Sequence, residues 1–339
     1  MRLRPLPLAL LAGGLAVVLA GCLDDAERGN PLDPLSENYV DEGEVAGAVV
    51  RASRPSEGVP GATVRLRPTE GGAELVDAVG GDGAFRLGGV PPGTYTLTAE
   101  APGYASADTT VEVAAPQPTV GVVLPLNALP SVTEQNVHTE RINRFFPLPQ
   151  TFSRLVVEAT VSDLDGLGDV ASVDLVIPDF DGFRAPLLAV TGTEGGFART
   201  FLEEELPVGL QDFLGHNLYI EVTDQSGATA RGEDAHVTRI VESIPLASSP
   251  IGGAPVTPPF AMTWQALSLP YAFTWRVEVF YVPVPGQSVP VFEVEGIPST
   301  QTELVFTEDL VSGNYQWFVS AIDAFGNLAR SVEAGFSVP

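Results

Sequence analysis

The chain has 339 residues, 43 acidic side chains against 17 basic ones, and a formal net charge of −26. Every basic residue is arginine, and there is a single cysteine. A charge of this sign repels nucleic acid and anionic membrane surfaces, and one cysteine excludes an intramolecular disulfide framework. The 35 glycines and 30 prolines favour several small β domains over one large domain.

The amino terminus has the layout of a bacterial export signal. Two arginines lie within residues 1–4, and an apolar stretch, 6–20, follows them; it is too short for an ordinary membrane span. The stretch ends in Leu19-Ala20-Gly21-Cys22, which resembles a bacterial lipobox. That resemblance implies cleavage before Cys22, acylation of its sulfur and acylation of the new amino terminus. The alternative is an ordinary secretory signal with an incidental cysteine.

We therefore expect residues 1–21 to be a lipoprotein signal peptide, recognised through Leu19, Ala20 and Gly21. Residues 22–42 contain seven acids and one arginine without a helical or strand period, which predicts a flexible acidic tether behind the acylated Cys22. Leu23 stands where an aspartate would resemble an inner-membrane retention signal. The sequence thus predicts a lipid anchor in the bacterial envelope, in the outer membrane, with the protein facing the periplasm or the surface.

Residues 43–127 carry four turn signals in a fixed order. They are Gly58-Val59-Pro60-Gly61-Ala62, Asp82-Gly83-Ala84-Phe85, Pro91-Pro92-Gly93-Thr94-Tyr95 and Ala101-Pro102-Gly103-Tyr104. This order resembles the carboxypeptidase regulatory-like domain, a transthyretin-like sandwich of seven strands. The resemblance implies a module that accompanies an enzyme without catalysing a reaction. Relatives share a fold with some carbohydrate-binding domains, but no sugar-binding residue can be transferred by motif.

Two further β-sandwiches are predicted behind it, an immunoglobulin-like domain over 128–243 and a fibronectin type III-like domain over 244–339. Strand-like segments of the former are 155–161, 172–177, 198–202 and 218–223. The two share a weak repeat, because strands ending in Asp224-Gln225-Ser226-Gly227 and Asp323-Ala324-Phe325-Gly326 both close on a hairpin signal. Tyr315 takes the place of a tyrosine corner. The predicted fold class is all-β, with tandem β-sandwich domains.

The densest acidic cluster consists of Asp163, Asp165 and Asp169. Calcium requires several oxygen ligands from one flexible loop, and these three could supply them. The spacing departs from an EF-hand, because Gly166 directly follows the second aspartate and Asp174 stands at position twelve. A hairpin turn between Val161 and Val173 accounts for the same residues. A calcium site and a plain turn both remain open.

Catalytic motifs are missing from the sequence. There is no Gly-x-Ser-x-Gly, the sole cysteine is expected to carry lipid, and His138, His216 and His236 have no metal-site spacing. We therefore expect no enzyme activity, no catalytic residue, no cofactor beyond a possible calcium ion and no small-molecule substrate.

Aromatic residues offer two candidate contact surfaces. Tyr271, Phe273 and Trp275 alternate along one strand, which suits either a buried core face or a platform for sugars. Phe145-Phe146 is a candidate contact with another domain or a partner. We predict a structural or interaction lipoprotein that docks an envelope protein or presents loops at the outer membrane; the alternative is a carbohydrate-binding surface lipoprotein.

Overall fold

A computed structural model describes Ser36 and residues 42–114, 118–145 and 147–339. The predicted signal peptide and Cys22 lie outside the described residues, as does nearly all of the tether. The described chain consists of β-strands and three short 3-10 helices, which confirms the all-β fold class. No helix among these residues is long and apolar enough to cross a membrane. The chain forms two compact units, Met1–Leu126 and Asn127–Pro339.

The first unit is the predicted seven-stranded sandwich. One sheet has the order β4-β1-β7 and the other β3-β2-β5-β6. Tyr95, Leu97 and Ala99 alternate into the core between the sheets, as the period of two requires. Its strands are β1 (Gly43–Arg51), β2 (Thr63–Pro68), β3 (Leu75–Ala78), β4 (Ala84–Val90), β5 (Gly93–Glu100), β6 (Ala107–Val113) and β7 (Thr119–Leu126).

The second unit contains both of the predicted carboxyl-terminal sandwiches. The limits predicted for the individual domains stay predictions. The 3-10 helices of this unit are Leu167–Asp169, Glu203–Glu205 and Leu210–Phe213. Its strands are β8 (Ser131–Arg144), β9 (Gln150–Ser162), β10 (Val170–Ile177), β11 (Phe183–Pro186), β12 (Leu188–Ala189), β13 (Gly196–Leu202), β14 (Asn217–Asp224), β15 (Thr229–Arg231), β16 (Ala235–His236), β17 (Ala247–Ser249), β18 (Ala254–Pro255), β19 (Phe260–Trp264), β20 (Phe273–Val284), β21 (Gln287–Pro298), β22 (Glu303–Phe306), β23 (Gly313–Asp323), β24 (Leu328–Arg330) and β25 (Ala334–Val338).

One large sheet runs through both sandwiches of the second unit, in the order β12-β13-β9-β8-β24-β23-β20-β21. The step that joins them is the parallel pairing of β24 with β8, in which Leu328 lies opposite Glu140 and Arg330 opposite Ile142. Two smaller sheets, β11-β10-β14-β15 and β17-β19-β22, each cover one part of the large sheet. The two sandwiches are therefore not separate domains joined by a linker. They have one sheet in common, which we call the shared sheet.

Both hydrophobic cores lie on the same face of the shared sheet. Ala321 pairs with Ala329, which pairs with Arg141, and Thr139 two residues earlier pairs with Leu155. Paired residues, and residues two apart on a strand, project to the same face. Ala321 belongs to the core of one sandwich and Leu155 to the core of the other. The opposite face of the shared sheet, which we call the outer face, carries the alternate residues.

A buried polar network at the joint accompanies the parallel strand pair. The Asn327 side chain accepts hydrogen bonds from the backbone N and the hydroxyl of Thr139 at 2.9 and 3.1 Å, and donates to Thr238 Oγ1 at 2.9 Å. Asn327 also donates to Asp323, whose Oδ2 lies 3.1 Å from Arg239 Nε. Asn327 and Thr139 are almost fully buried. One carboxamide thus satisfies groups from both sandwiches.

The repeated Asp-x-x-Gly segments form the predicted hairpins. Asp224 ends β14 and Asp323 ends β23, and each is followed by a short antiparallel strand. In each turn the aspartate carboxylate accepts the backbone N–H four residues later, from Ala228 at 2.8 Å and from Asn327 at 2.9 Å. Gly227 has a φ of 87° and its counterpart Gly326 one of 84°, a conformation that favours glycine.

The tyrosine corner predicted at Tyr315 is confirmed, and the first unit has another at Tyr95. Tyr315 Oη donates to the carbonyl of Val311 at 2.7 Å, and Tyr95 Oη donates to that of Pro91 at 2.7 Å. Both acceptors lie four residues before the tyrosine. Each bond fastens the loop that enters a core strand.

Replacing either tyrosine by phenylalanine keeps the buried ring but leaves the carbonyl without its donor. We expect Tyr95→Phe and Tyr315→Phe each to lower the free energy of unfolding by about 1 kcal/mol in urea titrations. The effect of the former should fall on the first unit and that of the latter on the second. A change in the other unit would contradict this assignment.

Removing the Asn327 side chain should lower the free energy of unfolding by more than removing a tyrosine hydroxyl does. We expect Asn327→Ala to lower the free energy of unfolding of the second unit by about 3 kcal/mol, because it leaves several buried groups unpaired. Asn314→Ala, at an exposed position on β23, is the matched control and should change it by less than about 0.5 kcal/mol. Thermal and urea unfolding measure both variants; equal effects would show that the network does not stabilise the joint.

Candidate cation-binding site

The loop of residues 163–169 connects two sheets. It leaves β9 in the shared sheet and enters β10 in a smaller sheet, so the expectation of a hairpin between Val161 and Val173 was wrong. The 3-10 helix Leu167–Asp169 shapes its second half. The carbonyl of Asp169 accepts the backbone N–H of Gln225 at 2.7 Å. The loop therefore lies against the turn that begins at Asp224.

The three predicted metal ligands come together in this loop. Asp163, Asp165 and Asp169 each place one carboxylate oxygen within 4.8 Å of the others. Asp165 is buried, and its Oδ2 accepts the backbone N–H of Ala128 at 2.9 Å. Asp163 Oδ1 accepts the Asp165 N–H at 2.7 Å, while the buried Asp163 Oδ2 has no hydrogen-bond partner among the described residues. One inaccessible carboxylate oxygen is thus unpaired inside the cluster.

Burial and nearby negative charge raise the pKa of two carboxyl groups of the cluster. Burial and the neighbouring carboxylates raise the pKa of Asp163 above its ordinary value, although the hydrogen bond from Asp165 opposes the shift. Burial, followed by the charge of Asp224, likewise raises the pKa of Asp169. Ionised oxygens this close together are the arrangement that a hard divalent cation neutralises.

Asp224 is a fourth carboxylate that the sequence analysis did not assign to the site. Burial opposes its charge, but hydrogen bonds from Asn127, Ser226 and Ala228 outweigh that penalty and lower the pKa of Asp224. Asn127 Nδ2 reaches Asp224 Oδ2 at 2.6 Å. The signal that could have found Asp224 was the repeat itself, which marks it as the acid closing a strand.

Asp323, the counterpart of Asp224 in the other sandwich, forms an ion pair with an arginine side chain. Asp323 is paired with Arg239, whose guanidinium also lies 4.1 Å from the centre of the Tyr271 ring. Asp224 receives the neutral amide of Asn127 in the corresponding role. The two related turns therefore differ in how the buried aspartate is balanced.

The structure also describes some of the aromatic residues considered as contact surfaces. Trp275 is fully buried in a core and donates to the carbonyl of Ser299 at 3.1 Å, so its strand face is core and the sugar platform considered there was wrong. Phe145 is 68% exposed, and Phe146 lies outside the described residues. The lipidation signal, Leu19 to Cys22, also lies outside them.

Comparison with known proteins identifies the first unit. Residues 44–126 match the carboxypeptidase regulatory-like domain. The matched range spans β1 to β7 and confirms the resemblance drawn from the turn motifs. Because the match covers about a quarter of the chain, the assignment to this family applies to the first unit only. No curated protein matches the chain.

Several solved structures resemble the chain at low identity. The major pilin subunit BcpA of Bacillus cereus is 13% identical, with 85% of this chain and 91% of the pilin covered and a TM-score of 0.31. The FN1–FN3 domains of chicken CNTN1 are 10% identical, with 87% and 98% covered and a TM-score of 0.31. The fibronectin(III)-like modules of CbhA from Clostridium thermocellum are 15% identical, with 62% and 93% covered and a TM-score of 0.27. TM-scores this low carry no argument about function.

The raised pKa of Asp163 predicts the direction in which stability changes when the carboxyl group is replaced. Its carboxyl binds a proton more tightly in the folded chain, so its ionised form costs stability at neutral pH, and the cost vanishes below the ordinary value of 3.8. Without divalent cations, Asp163→Asn should raise the free energy of unfolding at pH 7, and by less as the pH falls. Asp224→Asn should lower it, because the depressed pKa of Asp224 makes its charged form stabilising. Urea titrations from pH 4 to 8 measure both; a loss of stability in Asp163→Asn at pH 7 would contradict the account.

Proposed function

We propose that the chain is a lipid-anchored, non-catalytic envelope protein that serves as a structural and interaction module, docking or presenting partners at the outer membrane. The observation that carries the proposal is the joint of the second unit, in which two sandwiches share a sheet and a buried network. Such a joint suits a spacer, because one sandwich cannot swing against the other without breaking backbone pairs and exposing buried polar groups. The carboxypeptidase regulatory-like fold of the first unit is itself non-catalytic.

The proposed address depends on the amino terminus. Leu19-Ala20-Gly21-Cys22 supplies the lipobox, and Leu23 favours delivery to the outer membrane. Several acyl chains, each contributing about 0.8 kcal/mol per buried methylene, hold a protein at a bilayer where one chain does not. The acidic segment of residues 22–42 would then separate the first unit from the lipid headgroups.

Cys22→Ser tests this anchor in the bacterial envelope. We expect the wild type in the outer-membrane fraction, with mass spectrometry finding a mature amino terminus at Cys22 that carries fatty acids. Cys22→Ser should lose the acyl mass and leave that fraction, whereas the neighbouring control Leu23→Ala should keep both. A wild-type amino terminus elsewhere, without fatty acid, would refute the proposed anchor.

We further propose that the cluster of Asp163, Asp165 and Asp169 binds a divalent cation, with calcium as the best match for its oxygen ligands. The specific support is the unpaired, inaccessible Asp163 Oδ2, in a loop where burial and neighbouring carboxylates raise the pKa of Asp163 and of Asp169. Asp323, in the related turn, is already neutralised by an ion pair with Arg239. The bound ion would stabilise the loop between the two sheets; it would have no catalytic role.

Calcium titration of the mature chain tests the site. At a hundredfold excess over Kd, a cation that binds only the folded state adds about 2.7 kcal/mol, which is a Tm shift of roughly 5–10 °C for a unit of this size. Asp163→Asn and Asp169→Asn should abolish the shift, and Asp309→Asn, at an exposed position, should keep it. A Tm that neither calcium nor a chelator changes would exclude the site.

A further inference from the structure

Most arginines in the described part of the chain are neutralised by a nearby carboxylate. Among the described residues, three arginines have no carboxylate oxygen within 4.0 Å, namely Arg141, Arg144 and Arg330. All three lie on β8 and β24, the strands that join the two sandwiches. Because acids outnumber arginines by 43 to 17, arginines without a carboxylate partner on two neighbouring strands are unexpected and point to a local requirement for positive charge. Arg144 donates instead to the neutral side-chain oxygen of Gln150.

Two of these arginines project from the outer face of the shared sheet. Arg330 pairs with Ile142, and Arg144 follows Ile142 by two residues on the same strand. Arg330 and Arg144 therefore share one face, whereas Arg141 lies on the face of the cores. The two guanidinium groups belong to strands that are distant in sequence and adjacent in the sheet.

Both side chains line one open cavity of about 400 Å³ on the second unit. The other polar groups of its wall include the amides of Gln287 and Gln316 and the carboxylate of Glu333. Glu333 Oε2 already accepts the backbone N–H of Phe145 at 2.7 Å. Two arginines against one carboxylate give this wall a positive balance in a strongly acidic protein.

The aromatic floor of the sheet holds the guanidinium groups in place. Arg330 lies 4.4 Å above the centre of the Phe318 ring, and Arg144 lies 5.2 Å from that of Phe152. Arg330 Nε is inaccessible and has no hydrogen-bond partner among the described residues. Burial lowers the pKa of Arg330, against the attraction of Glu278, so its charge is held at a cost in solvation. No carboxylate in the described part of the chain lies within 4.0 Å of Arg330, although Glu278 and Glu140 attract it from further away. A planar cation held in this way is suited to an incoming oxyanion.

We propose that this cavity binds a carboxylate-bearing saccharide, with the carboxylate of a uronic acid held between Arg144 and Arg330. Guanidinium groups bind carboxylates through paired, charge-assisted hydrogen bonds. The amides of Gln287 and Gln316 offer donors and acceptors for sugar hydroxyls, and the volume lies within the range of small-ligand sites. The proposal goes beyond the anchored spacer and does not depend on it or on the cation site.

Isothermal titration calorimetry of the mature chain with tetragalacturonate tests the proposal. We expect measurable binding that weakens as salt increases, because exposed charges are screened. Arg330→Gln and Arg144→Gln should each weaken binding at least tenfold, since each removes one side of the carboxylate clamp. Arg330→Lys, which keeps the charge without the planar fork, should bind more weakly than the wild type and more tightly than Arg330→Gln. Arg231→Gln removes an arginine of the same unit that pairs with Asp234 and should bind as the wild type does.

The design separates a loss of binding from a loss of folding and one anion from another. Circular dichroism and Tm identify a destabilised Arg330→Gln, and Arg144→Gln then provides the decisive measurement. Neutral galactotetraose should not bind, and sulfated galactotetraose should bind more weakly than the uronate. Equal binding of the neutral sugar, tighter binding of the sulfated one, unchanged affinity in Arg144→Gln, or no uronate binding at millimolar concentration would each overturn the proposal.

Discussion

The parallel pairing of β24 with β8, closed by the carboxamide of Asn327, is the constraint on which the second unit depends. A strand of three residues contributes few backbone hydrogen bonds, so β24 could not hold two sandwiches together alone. Asn327 adds buried bonds to Thr139 and Thr238 on one side and to Asp323 on the other. Because unpaired buried groups are costly, any slip of β24 along β8 is penalised at several atoms at once. The joint is thereby fixed in register.

The proposed cation site and the arginine cavity both depend on this joint or on its repeated turn. The turn at Asp323 contributes to the joint, whereas the related turn at Asp224 lies beside the acidic loop. Arg144 and Arg330, which have no carboxylate partner among the described residues, lie on β8 and β24 themselves, so they share the outer face only because these strands are paired. A spacer with a cation site and a cavity for an anionic ligand would bind its ligands without catalysing a reaction. Both sites would depend on side chains held in fixed positions by a rigid sheet.

Much of the fold could be predicted from local patterns, and what was missed has physical reasons. The turn motifs identified the first unit, and the acid closing each strand identified both hairpins, because these signals lie within a few residues. Strand β8 was missed because polar residues such as Glu134 and Asn136 interrupt its alternation, and β24 because three residues carry no period. The hairpin expected near Asp165 was wrong because β10 pairs with β11 and β14 and not with the preceding strand β9. The arginine cavity could not be predicted because Arg144 and Arg330 are far apart in sequence and are brought together only by the pairing of β8 with β24.

Native-state hydrogen exchange of the mature chain tests most directly whether the two sandwiches are one cooperative body. Amides opened only by global unfolding exchange with the same free energy. We expect one common value for the cores around Leu155 and Trp317 and for the backbone amides of the β8–β24 pair. This expectation would be contradicted if the sandwich around Trp317 opened at a distinctly lower free energy while the core around Leu155 and its strand β8 stayed protected.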